Sequence, residues 1–444
     1  MTKVIMALSS IIALRFLGLF IVLPVLSAYA LTLEGANAFL VGVVVGGYAL
    51  TQTLFQVPFG VLSDKVGRKK TLLIGLSIFV IGSIICAISE HIYSLMFGRF
   101  LQGAGAIGSV VIAMISDFSK EEQRAKAMAM MGGTIALSFA ISMVLGPIIG
   151  GYYGVETLFW ITAILSVLAI FILFTKVPAP PKIIHSYSET ESKMSQVFQD
   201  KNLVNMYITF LFHSSIMTMA FVVIPIAMTN SISEGGFGWN KMELWKVYIP
   251  AMVLGILAMA PAAIFGEKYN KGKEVFLISI SSTALGFLLM GFSDSSTVFI
   301  IGVCLFFIGF NMFEPLLQSF VSKFAKIHQK GAALGVANSF SYFGMFLGGI
   351  FAGWFLHSFS KEALAIFVLM LCLFWFVWIL KLRNPSHMGN VYMDTNRYDR
   401  DKFNKLKNIN GIKEQYINET EGIMVVKYDK DIINEDKIRE MVVK

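Results

Sequence analysis

The sequence predicts an all-α membrane protein of twelve transmembrane helices in two pseudo-symmetric six-helix bundles, with a small α+β domain at the carboxyl end. Three observations predict this fold class. The 444 residues are 56% hydrophobic and only 14% charged, whereas soluble proteins carry about 25% charged residues. Twelve apolar runs each approach the roughly 20 residues that are needed to cross a bilayer. After residue 385 the composition changes and no further apolar run follows.

The apolar runs form two groups of six, with a polar stretch between the groups. This organisation predicts a first bundle (1–176), a linker (177–201), a second bundle (202–383) and a C-terminal domain (384–444). Two repeated bundles are typical of membrane transport proteins that are built from internal repeats. The runs lie near residues 4–30, 38–62, 71–89, 94–116, 127–151, 157–176, 203–228, 244–265, 275–292, 297–320, 331–356 and 363–381.

Lysine and arginine are distributed unevenly between the two sides of the predicted bundle. The side of both termini and the linker carries 20 of them, and the other side carries only Lys241, Lys246 and Lys361. Basic residues accumulate in cytoplasmic loops, so both termini are predicted to be cytoplasmic. The net charge of +8 therefore reflects membrane orientation. We expect no nucleic-acid partner, because that needs a basic stripe on a soluble face.

The C-terminal residues show the order β-α-β-β-α. A strand near Val391 precedes a helical pattern over 400–409, and two strands follow over 412–418 and 423–428. Asn434 is placed to cap a last helix. This order predicts a small ferredoxin-like unit. The alternative is a disordered tail, which the many isoleucines and valines disfavour.

The loop between the second and third runs carries a patterned motif, in which Lys69 and Lys70 follow Arg68. Gly60 permits close helix approach, Gly67 permits a tight turn, and Asp64 can pair with Arg68 or cap a neighbouring helix. Asp117, at the same side of the fourth run, is a candidate third member. The alternative is a loop that is only anchored by its positive charge.

This segment resembles motif A of the major facilitator superfamily, and the resemblance extends over residues 1–383. It implies a gate that breaks and re-forms as the two bundles rock. The loop between the eighth and ninth runs repeats the acid-then-base order at Glu267 and Lys271.

The fourth run contains Arg99 within Gly-Arg-Phe-Leu-Gln-Gly, which is similar to motif B of the same superfamily. The resemblance implies a role at the edge of a cavity in proton coupling. Because Arg99 lies near the end of the run, an alternative is that its side chain reaches the membrane interface.

The fifth run ends with a segment that is similar to motif C, a feature of antiporters in this superfamily. The proline removes one backbone hydrogen bond and is expected to kink the helix. The glycines offer a surface for close packing against another helix. The residues of this motif are Gly146, Pro147, Gly150 and Gly151.

Four ionisable residues lie inside the apolar runs, and such residues are usually functional. Arg15, Arg99, His213 and Glu314 fall on runs one, four, seven and ten, which line the central cavity in this superfamily. Glu314 is the predicted proton carrier, and His213 can titrate near neutral pH. The alternatives are a structural histidine at His213 and a gate ion pair between Glu314 and Arg15 or a lysine.

Five amides within the runs are candidate substrate ligands. The alternative is that they only bond neighbouring helices. They are Gln52, Gln56, Gln102, Asn311 and Asn338.

The segments 47–60 and 310–314, together with the soluble tail, resemble the bacterial YajR-type transporters, which carry a cytoplasmic ferredoxin-like YAM domain. The resemblance implies a monomeric proton-coupled antiporter in the bacterial cytoplasmic membrane that exports small amphipathic molecules. Its partners would be the lipid bilayer and a small-molecule substrate, with the proton as coupling ion and no other cofactor or metal. Two departures are Pro315 and the lack of a clear last strand in the tail.

Other functions stay open at this point. One is proton-coupled uptake of a sugar or metabolite, and another is a membrane sensor whose soluble tail binds a ligand. An enzyme is not expected, because the sequence lacks a phosphate-binding loop, a nucleophile elbow and an HExxH motif.

Overall fold

The structure is a computed structural model of the chain. It describes residues 2–119, 121–178, 197–325, 330–382, 384–385, 388–395, 398–406, 409–418 and 422–443. Most of the predicted linker 177–201 lies outside the described residues.

Within the described ranges, twelve helices are long and apolar enough to cross a membrane, as predicted. Each is numbered here as a span in chain order. The spans are Lys3–Ala30, Ala38–Val66, Arg68–Ala87, Ile92–Asp117, Lys126–Tyr153, Val155–Lys176, Lys201–Thr229, Lys241–Lys268, Gly272–Phe292, Ser296–Phe324, Lys330–Ser358 and Lys361–Leu380.

Three spans are not continuous α-helices. Span 1 consists of Thr2–Ile21 and Leu23–Ala30, with Pro24 in the first turn of the second piece, where its missing N–H is tolerated. Span 4 consists of Ile92–Ala104 and Gly108–Asp117. Span 8 ends in a turn of π-helix after Pro261.

The break in span 4 lies where this span passes very close to span 3. A Cβ atom at Gly105 would lie 2.4 Å from the carbonyl oxygen of Gly75. Only glycine fits such an approach, and the interruption leaves backbone groups of span 4 without helical partners.

The two bundles meet along spans 2 and 11 and along spans 1 and 7. The lysine-rich loops lie at one end of the molecule, where spans 2, 4, 8 and 10 end. We call this end the basic side and the other end the opposite side.

The bundles make their closest glycine contacts on the opposite side. A Cβ atom at Gly42 of span 2 would lie 2.1 Å from the carbonyl oxygen of Gly349 of span 11. Ser27 of span 1 donates a hydrogen bond to the carbonyl of Phe221 of span 7. In contrast, a Cβ atom at Gly133 of span 5 or at Gly335 of span 11, both on the basic side, would have no other atom within 4 Å.

The C-terminal domain contains a three-stranded antiparallel sheet with strand order β1-β3-β2. The strands are β1 (Met388–Asp394), β2 (Ile412–Asn418) and β3 (Ile423–Asp429), and the helices are Arg400–Lys405 and Glu435–Val442. This is the predicted ferredoxin-like order without a fourth strand. Only an isolated bridge between Tyr398 and Val443 follows the last helix in the described part.

A hydrophobic core between the sheet and the helices orders this domain. Phe403, Leu406, Ile438 and Val442 from the helical segments are buried against β1 and β3. The side chain of Asn434 accepts a hydrogen bond from the backbone N–H of Lys437, as the sequence predicted for a cap. The described residues of the tail are therefore folded, and the alternative of a disordered tail is wrong for them.

Candidate functional site

A histidine–carboxylate pair lies inside the membrane part of the second bundle. The His213 Nε2 atom of span 7 lies 3.2 Å from Glu314 Oε1 of span 10. Glu314 is ten residues from the end of span 10 at Phe324, which corresponds to a depth of about 15 Å. The Glu314 side chain is 45% exposed and that of His213 is 6% exposed. The carboxylate is thus open to its surroundings while its partner is buried.

Aromatic rings hold the imidazole of His213 in place. The ring of Phe310 stacks on it with centroids 4.3 Å apart and planes 3° apart, and Phe313 lies 5.1 Å away. Phe310 also approaches Phe139 of span 5, with centroids 6.3 Å apart. The pair is therefore next to the boundary between the bundles.

Arg15 is buried in the first bundle, 1% exposed. Its Nη2 atom donates to Gln52 Oε1 at 2.8 Å and to the carbonyl of Gly105 at 3.0 Å. The latter oxygen belongs to the break in span 4. The guanidinium also lies 5.0 Å from the ring centroid of Phe79. Its charge is stabilised by dipoles and an aromatic face.

Arg99 is fully buried in the same bundle, between spans 2, 3 and 4. It donates to the carbonyl of Val44 at 3.3 Å and to Gln102 Oε1 at 2.8 Å. Its guanidinium lies 4.7 Å from the ring centroid of Tyr48. The inward direction of these bonds rules out the alternative in which Arg99 reaches the membrane interface.

The four ionisable residues therefore form separate groups rather than one cluster. Among the described residues, no hydrogen bond or ion pair joins Glu314 to Arg15, to Arg99 or to a lysine. The partner of Glu314 is His213. The predicted alternative of a gate pair between Glu314 and Arg15 is not formed in this conformation.

Two of the three predicted glutamine ligands connect helices inside the first bundle, and the third, Gln56, bonds Gln52 on its own helix. Gln52 is 1% exposed and donates to Gln56 Oε1 at 3.1 Å while it accepts from Arg15. Gln102 donates to Ser83 Oγ at 2.9 Å. The hydrogen bonds of Gln52 and Gln102 are those of the alternative, in which the amides only bond neighbouring helices.

The two predicted asparagine ligands differ from each other. Asn311 is buried and donates to the carbonyl of Phe307 on its own helix. Asn338 of span 11 accepts a bond from Gln318 of span 10 at 3.4 Å. Gln318 lies one helical turn from Glu314, and both are exposed. Asn338 thus lies next to the exposed polar face of span 10.

The motif A residues form the predicted ion-pair cluster on the basic side. Arg68 Nη1 lies 2.5 Å from Asp64, and Arg68 Nε lies 3.1 Å from Asp117 Oδ2. Gly67 has a φ of +104°, which favours glycine and allows the turn between spans 2 and 3. Asp117 is indeed the third member of the cluster.

Gly60 does not have the predicted role in close helix approach. A Cβ atom there would lie 3.7 Å from Ser109 Oγ, an ordinary contact. The closest glycine contacts between the bundles instead involve Gly42 and Gly349. These glycines were not among the predicted site residues, although Gly42-x-x-x-Gly46 and Gly349-x-x-x-Gly353 have the spacing of close-packing motifs.

The second bundle has a counterpart of motif A with the charges exchanged. Glu267, at the end of span 8, bonds Ser319 and Lys323 of span 10. In the first bundle the base of the loop pairs with an acid of span 4, and in the second the acid pairs with a base of span 10. The acid-then-base repeat in sequence did not predict this exchange.

The motif C glycines make the close contacts that were predicted. A Cβ atom at Gly146 would lie 2.2 Å from the carbonyl oxygen of Ile21, at the break of span 1. One at Gly151 would lie 2.7 Å from Cα of Met242 in the second bundle. Pro147 lies inside a helix that continues from Glu121 to Tyr153. The motif thus packs span 5 against span 1 of its own bundle and against the start of span 8 in the second bundle.

Within the described ranges, no group of three or more His, Cys, Asp or Glu side chains is arranged to hold a metal ion. The polar groups on the exposed face of span 10 are Glu314 and Gln318. Ionisable side chains inside a span are usually functional.

Comparison with known proteins identifies the family. The Major Facilitator Superfamily model matches residues 8–271 and 206–392. The chain belongs to the major facilitator superfamily. It is 33% identical over 443 residues to the inner membrane transport protein YajR of Escherichia coli (strain K12), covering 98% of this chain and 96% of YajR. The predicted YajR-type membership is thus confirmed, and the chain is a multi-pass inner-membrane transporter.

Two more distant matches are consistent with this family. The quinolone resistance protein NorA of Staphylococcus aureus (strain COL) is 28% identical over 378 residues, covering 80% of this chain and 90% of NorA. The solved structure of a bacterial homolog to the human lysosomal transporter Spinster is 14% identical, with a TM-score of 0.68, over 86% of this chain and 97% of that chain. This last likeness shows the fold alone.

Proposed function

We propose that the protein is a proton-coupled antiporter that exports small amphipathic molecules by alternating access. The observation that carries this proposal is the contact between Glu314 and His213 inside the membrane. Ionisable residues at that depth are costly and usually serve transport. An exposed carboxylate next to a buried imidazole can accept and release a proton without a large change of structure.

The proposed cycle begins in the conformation seen here. The excess of lysine and arginine on the basic side supports a cytoplasmic location for that side and for both termini. The opening then faces the cytoplasm, where Glu314 releases its proton and substrate enters. The bundles rock, the Gly42–Gly349 contact opens, and Glu314 takes up a proton from the opposite side as substrate leaves.

Other residues have supporting roles in this proposal. The ion pairs of Arg68 with Asp64 and Asp117 hold the basic side of the first bundle in one arrangement and would rearrange as the gate closes. Arg15 and Arg99 act as positioning residues: they contribute positive charge and tie span 4 to spans 1 and 2. Asn338 is a predicted ligand that accepts a hydrogen bond from Gln318 on the exposed face of span 10.

Export of amphipathic molecules has two supports. NorA is named for quinolone resistance, and a tetracycline resistance protein, class B, of Escherichia coli is 27% identical over 342 residues. The rings of Phe20, Phe139 and Phe310 also form a continuous aromatic surface between the bundles. An aromatic surface beside a carboxylate suits molecules with both apolar and polar parts. The tail would then be a domain of the YAM type.

The test is proton flux in proteoliposomes that contain a pH-sensitive dye. Addition of a substrate from a panel of amphipathic compounds should cause proton movement against the substrate. Glu314→Gln should abolish this movement, whereas Glu362→Gln, in the first turn of span 12 on the opposite side, should leave it unchanged. Full substrate-driven proton movement in Glu314→Gln would refute the role of Glu314. Proton movement in the same direction as the substrate would show uptake instead of export.

A further inference from the structure

A lysine of the C-terminal domain lies on the end of a transmembrane span. Lys427 Nζ donates to the carbonyl of Lys323 at 2.8 Å and to that of Ala325 at 2.7 Å. Span 10 ends at Phe324, so these oxygens belong to the carboxyl end of the helix. Cations are favoured there, because the unpaired carbonyls carry partial negative charge. Lys427 is only 5% exposed.

The sheet of this domain is buried on both faces of its central strand. Met424, Val426 and Tyr428 of β3 point into the core between sheet and helices. Alternate residues point to the other face, yet Val425 is fully buried and Lys427 almost so. In an isolated domain of this size the second face would be exposed to water. The second face is therefore covered, and the bonds of Lys427 show that the end of span 10 covers part of it.

We call this second face the docking face. Residues directly opposite each other on neighbouring antiparallel strands point to the same face. The pairing register therefore places four residues of β1 and β2 beside Val425 and Lys427. The docking face consists of Asn390, Tyr392, Glu414, Tyr416, Val425 and Lys427.

Charged groups from several elements surround the Lys427 ammonium. Burial lowers the pKa of Lys427 to about 8, and the nearby charge of Lys330 acts in the same direction. Glu414 of β2 and Asp200, which caps span 7, act in the opposite direction. Lys330 begins span 11. The ammonium is therefore close to the ends of three spans, all of them in the second bundle.

The segment before β1 is attached to the same bundle. Asn384 Oδ1 accepts a hydrogen bond from the backbone N–H of Lys273 at 2.7 Å, and Asn384 Nδ2 donates to Glu274 at 3.1 Å. Both partners lie in the first turn of span 9. A tether this short keeps the domain at a high effective concentration near the ends of the spans.

We infer that the C-terminal domain is held on the second bundle through its docking face, with Lys427 as the anchor and the carboxyl end of span 10 as its partner. Lys323, whose carbonyl binds Lys427, also uses its side chain to bind Glu267 of span 8. The end of span 10 is thus held from two directions. Because span 10 also carries Glu314, the domain restrains the helix of the proton site.

The first test compares two lysines in the unmodified protein. Lys427 is buried, whereas Lys430, three residues later, is exposed. In nanodiscs, brief treatment with acetic anhydride followed by mass spectrometry should modify Lys430 at least tenfold faster than Lys427. Equal rates for the two lysines would show that Lys427 is free in solution and would overturn the proposal.

The second test measures hydrogen–deuterium exchange in Lys427→Met and in the matched control Lys430→Met. Loss of the anchor should increase exchange in the last turn of span 10, over 321–325, whereas Lys430→Met should match the unmodified protein. Lys427→Arg, which keeps N–H donors for the two carbonyls, should retain more of the protection than Lys427→Met. Unchanged exchange at 321–325 in Lys427→Met would contradict the inference, as would an equal increase in Lys430→Met.

Discussion

Arg15 and Arg99 are buried cations whose described partners are neutral groups. Burial of an unpaired charge is strongly unfavourable unless polar groups replace the lost water. Here carbonyls, glutamine oxygens and aromatic faces surround each guanidinium. The flat guanidinium, with its several donors, can bond two helices at once, which a lysine does less well. These residues therefore link the broken span 4 to its neighbours.

Replacement of Arg15 by glutamine tests this linking role. Arg15→Gln removes the charged donor of two buried oxygens, Gln52 Oε1 and the Gly105 carbonyl, of which the carbonyl keeps only its bond from the backbone N–H of Ile107. A buried acceptor that loses its donor costs about 1–3 kcal/mol. We expect a lower melting temperature in detergent, measured by intrinsic fluorescence. Lys65→Gln, on the exposed end of span 2, is the control and should melt like the unmodified protein. An unchanged melting temperature for Arg15→Gln would show that its bonds do not support the fold.

Span 11 is an element with two glycine faces. Gly344 and Gly348 lie against the backbone of span 7, and Gly349 and Gly353 lie against span 2. The first face packs within the second bundle, and the other forms the contact between bundles. Small residues let helix backbones approach closely and then separate without disentangling side chains. Span 11 can therefore form and release the contact with span 2 that closes the opposite side.

A methyl group at Gly349 should disfavour this closed state. The Cβ atom of Gly349→Ala would lie 2.4 Å from the carbonyl oxygen of Gly42, so the bundles must separate there. Spin labels at positions 153 and 232, on the opposite side of the two bundles, should report a longer distance in a cysteine-free background. Gly335→Ala, which would meet nothing within 4 Å, is the matched control. The same distance distribution in both variants would disprove the glycine contact as a gate.

At the scale of the whole molecule, the described contacts of the C-terminal domain are with the second bundle. Lys427 binds the end of span 10, and Asn384 binds the start of span 9. When the bundles rock, we expect the domain to move with the second bundle. A ligand of the domain would then act on transport by changing how firmly span 10 is held.

The docking of this domain should depend on pH. The pKa of Lys427 is lowered from 10.5 to about 8 when docked. Between these two values the undocked domain binds a proton that the docked domain lacks, so docking strengthens as pH rises. The added stability is complete above the undocked pKa and is lost as pH falls through the docked value.

Spin labels at Ile432, on the domain, and Lys201, on span 7, can follow this equilibrium. We expect the docked fraction to increase from pH 8 to pH 10 and to be constant below pH 7. Lys427→Met should remove the dependence. A docked fraction that falls with rising pH would contradict the assigned environment of Lys427.

Much of the fold was predictable because it depends on local patterns. Hydropathy over about 20 residues predicted the twelve spans. Period-two and helical patterns predicted the strands and the last helix of the tail, including the cap at Asn434. In motif A, Asp64 and Arg68 lie four residues apart, on either side of the turn between spans 2 and 3. Each of these features is set by neighbours along the chain.

The sequence by itself determined the number of spans and the uneven charge of the two sides. It also determined the order of strands and helices along the tail, and the pair of Asp64 and Arg68 in motif A. Only the tertiary structure decided that Glu314 pairs with His213, 101 residues away, and that Gly42 meets Gly349. It also decided that Lys427 binds span 10. The reason is physical: helix tilt and rotation select such partners, and several of them are backbone carbonyls, which every residue carries.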